Sequence, residues 1–137
     1  MIGIDTNVLV RYIVHDDAAD ARVATKVIEH DCSADDPGYV SLVVLCELAW
    51  VLDRGYGYER AQIGQVIQGI LSVTELEVES RDLAWEALRR FESHRADFAD
   101  YVIGLVSKKA GAATTVTFDR RAADGDLFTL ARKRNAE

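Results

Sequence analysis

The feature that most constrains this chain is its alternation of short apolar segments with much longer stretches of helical spacing. Met1 to Asp5 reads as a short buried strand, and Val8, Leu9, Tyr12 and Ile13 follow at the intervals of one helical face, behind a cap at Thr6 or Asn7. Ala21, Ala24, Val27 and Ile28 form a second stripe within a helix expected over Ala19 to His30. The acidic run from Asp31 to Gly38, which includes Pro37, reads as a connection. After Tyr39 and Val40, Ser41 caps an apolar helix through Leu52 that the glycines at 55 and 57 end, and a further helix runs from about Glu59 to Leu71.

Leu76 to Val78 predicts another strand, followed by a helix with Leu83, Ala84, Ala87, Leu88 and Phe91 on one face. A last long helix begins near Asp97 to Ala99 and stops at Gly111, and Thr114 to Phe118 reads as a strand ending beside Asp119. The tail supports two readings, a strand at Phe128 to Leu130 or a helix over Leu130 to Lys133. Crossover helices between short strands predict an α/β fold with a mainly parallel central sheet flanked by helices. A chain of 137 residues without internal repeats suits one domain over its whole length.

An excess of 23 acidic over 16 basic side chains, a net charge of −7, disfavours a protein that coats DNA or an anionic membrane. An acidic cleft neutralised by divalent cations is compatible with that balance. No basic leader with an apolar core and cleavage signal opens the sequence, and the near-apolar stretch Val40 to Leu52 is too short for a bilayer and carries Glu47. The cytoplasm is therefore the expected location. Cys32 and Cys46 lack both the spacing and the histidine partners of a zinc site or a disulfide framework.

In open α/β sheets, functional groups collect where strands end and the next helices begin. Asp5 and Asp119 are expected at such positions, and Asp100 in the first turn of its helix. Each also has a purely local reading, as a cap, a turn residue or a partner of the helix dipole, and Asp97 with Asp100 resembles a capping arrangement. Glu47 is different, because every other residue from Leu42 to Leu52 is apolar. A helix so composed is expected to be buried around its circumference, where an unpartnered carboxylate costs several kcal/mol. Glu47 should then pair with an arginine from another element or join a metal-binding group of acids.

Taken in order, these segments resemble the PIN-domain ribonucleases, especially the VapC toxins of prokaryotic toxin–antitoxin pairs. Met1 to Leu9 resembles the opening strand with its Asp-Thr-Asn motif, Val44 to Leu48 the helix of the second acid, Asp97 to Tyr101 the third acidic segment, and Thr117-Phe118-Asp119 the late strand-end motif. Tyr101 stands where many relatives carry a smaller residue. The resemblance spans nearly the whole chain and implies a PIN-like three-layer sandwich. It assigns the catalytic and metal-binding roles to Asp5, Glu47, Asp100 and Asp119, with Asp97, Thr6, Asn7 and Thr117 as secondary candidates. It also implies an RNA substrate, a small VapB-like antitoxin and a homodimer, for which Ile63, Val66, Ile67 and Leu71 offer an apolar helical face if the monomer does not bury it.

Grouped carboxylates repel unless protonated, hydrogen bonded or neutralised, and hard oxygen ligands suit Mg²⁺ or Mn²⁺. One or two such ions would activate water and stabilise charge on a phosphodiester. His15, His30 and His94 form no motif that supplies an alternative base. Arg11, Arg54, Arg95, Arg120 and Arg121 are candidate phosphate contacts and equally ordinary surface residues. A haloacid-dehalogenase-like phosphatase would need an acid where Asn7 stands, two positions after Asp5. A stand-alone RNA-processing PIN nuclease and an inactive PIN-like regulator remain the other readings.

Overall fold

The computed structural model of the chain describes residues 1–132. Its first strand, β1 (Ile2–Gly3), pairs in parallel with β2 (Gly38–Val40), and β2 pairs in parallel with β3 (Leu76–Val78). Ile2 lies opposite Gly38, which in turn lies opposite Leu76. A second parallel pair joins β4 (Thr115–Thr117) to β5 (Phe128–Leu130). Every strand pair among the described residues is parallel, the arrangement expected when helices make the crossovers.

Two helices fill each of the first three crossovers. α1 (Thr6–Val14) and α2 (Ala18–Lys26) separate β1 from β2, α3 (Leu42–Tyr56) and α4 (Arg60–Ser72) separate β2 from β3, and α5 (Arg81–Ser93) and α6 (Phe98–Lys109) separate β3 from β4. Beyond α2 the chain passes into a wider π-helical turn over Val27–Asp31, so the expected helix through His30 holds in extent but not in uniform winding. The tail forms the strand through Leu130, and Ala131 and Arg132 turn helical directly behind it; Lys133, the end of the expected helical stretch, lies outside the described residues. No helix among the described residues is long and apolar enough to cross a membrane.

The core sits between the sheet and these helices, with Leu9, Val40, Leu45, Leu48, Leu52, Ile67, Leu88 and Phe98 its largest fully enclosed side chains. Gly104 permits the close approach of α6 to β5, because a Cβ there would lie 2.9 Å from the Phe128 ring and 3.0 Å from Leu127. Ser41 caps α3 by accepting the Val44 N–H at 3.2 Å, as its sequence position predicts. Glu79, just beyond β3, accepts the Leu42 N–H at 2.9 Å and ties the start of α3 to the sheet.

One expectation about burial fails, and one open alternative is decided. α3 packs against α1, α4 and α6 through Leu42, Leu45, Leu48, Ala49 and Leu52, but its other side faces solvent and leaves Val43 70% and Trp50 60% exposed. Glu47 stands on that open side and is exposed. The apolar composition of α3 therefore exceeds what its buried stripe requires. On α4, by contrast, Ile63, Ile67 and Leu71 recur at near-helical intervals and are buried in the monomer core, with Val66 partly buried against it, so the three buried residues offer no dimer face.

Candidate active site

The structure distributes the predicted acids over two neighbouring groups. Asp5 follows β1, whose register continues one residue further when the Ile4 N–H donates to the Tyr39 carbonyl at 2.8 Å. Asp5 is itself the N-cap of α1, and its Oδ1 accepts the Thr6 N–H at 2.8 Å. The expected cap at Thr6 or Asn7 is thus displaced by one residue. An extended φ and ψ at Asp5 frees its side chain to turn back onto the first helical amide.

With the capping work done by Asp5, Thr6 performs another task. Its side chain is 7% exposed, and Oγ1 donates to Glu47 Oε1 at 2.5 Å. This bond joins the start of α1 to the middle of α3 and fixes the rotamer of the second acid. Asp5, Thr6, Asn7 and Glu47 line one open concavity of about 370 Å³, with Arg11 and Tyr56 also on its wall. Asp16 Oδ1 accepts from Arg11 at 3.0 Å, and Asp16 Oδ2 accepts from the Tyr56 hydroxyl at 2.9 Å, holding both wall residues to the end of α1. Nothing in the local sequence announces that three-residue tie, since Asp16 and Tyr56 are 40 residues apart.

The second group lies at the start of α6. Asp97 and Asp100 form a reciprocal capping box, in which the Asp97 N–H donates to Asp100 Oδ2 at 3.0 Å and the Asp97 side chain accepts from the N3 backbone. The local capping reading of both residues is therefore correct. A caging function is compatible with it, because each carboxylate retains further lone pairs. Tyr101, 4% exposed, accepts the buried Ala96 N–H at 3.0 Å, which accounts for a large residue at this position.

Asp119 follows β4, where its N–H donates to Thr117 Oγ1 at 3.0 Å and its Oδ1 accepts the Arg121 N–H at 2.8 Å. Thr117 thus shapes the turn that presents Asp119. Asp100 is half-buried, and burial is the main cause holding its carboxyl above the usual range; the Asp97 N–H opposes this, the charges of Asp97 and Asp119 add to it, and Arg121 offsets part. These three acids share one electrostatic environment. Arg121, one of the five arginines named from sequence, acts on Asp100 through its charge.

Cys46 connects the two groups. Its thiol is pushed up to about 11, chiefly by burial and then by the Asp100 charge, so the residue next to Glu47 senses the acid on α6. α3 and α6 pack together at this point. Among the described residues, however, no three His, Cys, Asp or Glu side chains are gathered closely enough to hold a metal ion as they stand. The donor set fits a hard divalent cation in its chemistry, all carboxylate oxygen, with like charge pressing on Asp100. It is arranged as two half-sites rather than a closed cage.

The PIN domain model matches residues 2–126 of the chain. A VapC ribonuclease of Aquifex aeolicus (strain VF5) is 31% identical over 83 residues, which cover 61% of this chain and 62% of that protein. The match thus spans less than two thirds of the relative's length.

Proposed function

The chain belongs to the PIN-domain family, and from that premise we propose that it is a metal-dependent endoribonuclease, the toxin of a toxin–antitoxin pair. The observation that carries the reading is the pairing of acids from four distant segments into two adjoining half-sites, Asp5 with Glu47 through Thr6, and Asp97 with Asp100 and Asp119. Asp5, Glu47, Asp100 and Asp119 would hold Mg²⁺ or Mn²⁺, which when bound supplies an activated water and a counter-charge for a phosphodiester. Thr6 holds Glu47 in place, Thr117 orients the turn at Asp119, and Arg121 moderates the charge around Asp100. Asn7 lines the concavity as a contact for substrate. The similarity to a VapC ribonuclease favours RNA over DNA as substrate.

The partner proposed is a small VapB-like antitoxin. The structure offers it an apolar groove of about 560 Å³ between α1 and α4, lined by Leu9, Ile13, Val66 and Ile70 and bordered by Glu29 and Glu75. Such a groove suits an amphipathic helix with basic flanks. A homodimer in the cytoplasm completes the proposal, with exposed Val43 and Trp50 on α3 and Ile103 and Val106 on α6 as the available apolar surface.

A second reading is an inactive PIN-like interaction domain, favoured by the local roles the acids already fill as helix caps and hydrogen-bond partners. One experiment separates the two. Purified protein is incubated with a defined single-stranded RNA in EDTA and then with Mg²⁺ or Mn²⁺. Cleavage that appears with the ion and is absent from a D5N/D100N preparation supports the nuclease, whereas a folded protein that neither binds the ions nor cuts supports the interaction domain.

A further inference from the structure

The connection from α5 to α6 carries the third acidic segment, and its backbone is held from outside. α5 ends at Ser93, which leaves the carbonyls of its last turn without helical partners. Arg60, the first residue of α4, supplies donors to one of them, at Phe91, and to the three carbonyls that follow the helix, at His94, Arg95 and Ala96. One terminal nitrogen, Nη1, donates to the Ala96 carbonyl at 2.9 Å and the Arg95 carbonyl at 3.4 Å; the other, Nη2, donates to Phe91 at 2.6 Å and His94 at 2.8 Å. The guanidinium carbon lies 4.0 Å from the centre of the Phe91 ring, a cation–π contact that fixes the plane of the fork. From the opposite side the Tyr101 hydroxyl accepts the Ala96 N–H.

We propose that Arg60 is a positioning residue for Asp97 and Asp100, clamping the three successive carbonyls at 94–96 so that α6 begins where its acids face the site. This inference rests on the proposed metal-binding role of those acids. Arg60 is an exposed residue and touches none of the acids through a hydrogen bond or ion pair. A surface arginine serving only solubility has no need to satisfy four backbone acceptors, and a lysine in its place has no fork to span them. The clamp comes from α4, which contributes no acid to either half-site, so it couples a third helix to the geometry of the centre.

The test compares wild-type, R60K and R60A proteins by Mn²⁺ titration followed by electron paramagnetic resonance, at a temperature where circular dichroism shows each folded. Residues that orient metal ligands typically contribute about 10- to 100-fold to metal affinity. Wild type should bind Mn²⁺, R60A should bind it at least about tenfold more weakly, and R60K should recover only part of the loss because it restores charge without the fork. RNA cleavage should lose kcat in R60A with KM nearly unchanged. Equal Mn²⁺ affinity in all three proteins, or R60K matching wild type, overturns the clamp while leaving the nuclease reading intact. Failure of the wild type to bind Mn²⁺ removes the nuclease reading, and the clamp with it. Should neither variant fold, nitrogen-15 NMR of the wild-type Arg60 side chain decides: guanidinium protons protected from exchange and shifted by Mg²⁺ support the clamp, and protons exchanging at solvent rates with no Mg²⁺ response overturn it.

Discussion

The Thr6 hydroxyl donates to Glu47 Oε1 across 41 residues of sequence, so a buried side chain in the first turn of α1 fixes an exposed carboxylate in the middle of α3. Removing that hydroxyl while keeping its volume isolates the bond. T6V is expected to cost about 1.5–3 kcal/mol of stability, as for a hydrogen bond to a charged group, and to lower metal-dependent cleavage about tenfold, with T6S restoring both. Urea unfolding and cleavage rates measure the two effects, and unchanged cleavage in folded T6V shows that Glu47 needs no such support.

Asp5 caps α1 and is also the first proposed metal ligand, and the D5N substitution separates these duties. Asparagine is as good an N-cap as aspartate, so the melting temperature should change by only a few degrees while metal-dependent RNA cleavage disappears. Full specific cleavage by purified, folded D5N would remove Asp5 from the catalytic set.

Asp100 predicts a pH dependence of unusual sign for a carboxylate. Its folded pKa is raised above the unfolded value, mainly by burial, so folding favours the protonated form. Its contribution to stability is complete below the ordinary Asp range near pH 3.9 and is lost as pH rises through the raised folded value. D100N should therefore stabilise the metal-free protein at neutral pH, and the difference from wild type should vanish in acid. Urea unfolding in EDTA from pH 3 to pH 7 checks this; a D100N protein less stable than wild type at neutral pH contradicts it.

Gly69 on α4 lines the apolar groove with open space beside its Cα, so a larger side chain fits without disturbing the core. G69F should fill the groove, keep or raise helix stability, and weaken binding of the proposed VapB-like antitoxin at least about tenfold without altering cleavage. Co-purification and inhibition assays read the outcome. Undiminished inhibition of G69F would place the antitoxin elsewhere.

Association is testable by light scattering over a range of concentrations. A dimer is expected, and I103E, on the exposed face of α6, should shift it towards monomer without loss of fold. A wild-type protein that stays monomeric at high concentration rules the dimer out.

The sequence alone determined the order of elements and singled out the candidate acids, because both are written locally. Helical spacing, the cap at Ser41, the stop at Gly57 and the Asp97–Asp100 box all act within a few residues, and the structure reproduces them. Tertiary structure decided what local pattern leaves open. A largely apolar helix does not say which of its sides meets a neighbour, so its composition points to burial of Glu47 and Trp50, both of which the packing leaves exposed. The stripe of Ile63, Ile67 and Leu71 suits a subunit interface as well as a core, and only the packing of α4 against α3 and α5 chose the core. The ties from Thr6 to Glu47, Asp16 to Tyr56 and Arg60 to the carbonyls at 94–96 carry no sequence signal at all. Each is a polar contact between side chains or backbone groups tens of residues apart, and its partners become neighbours only after the apolar core has brought their helices together.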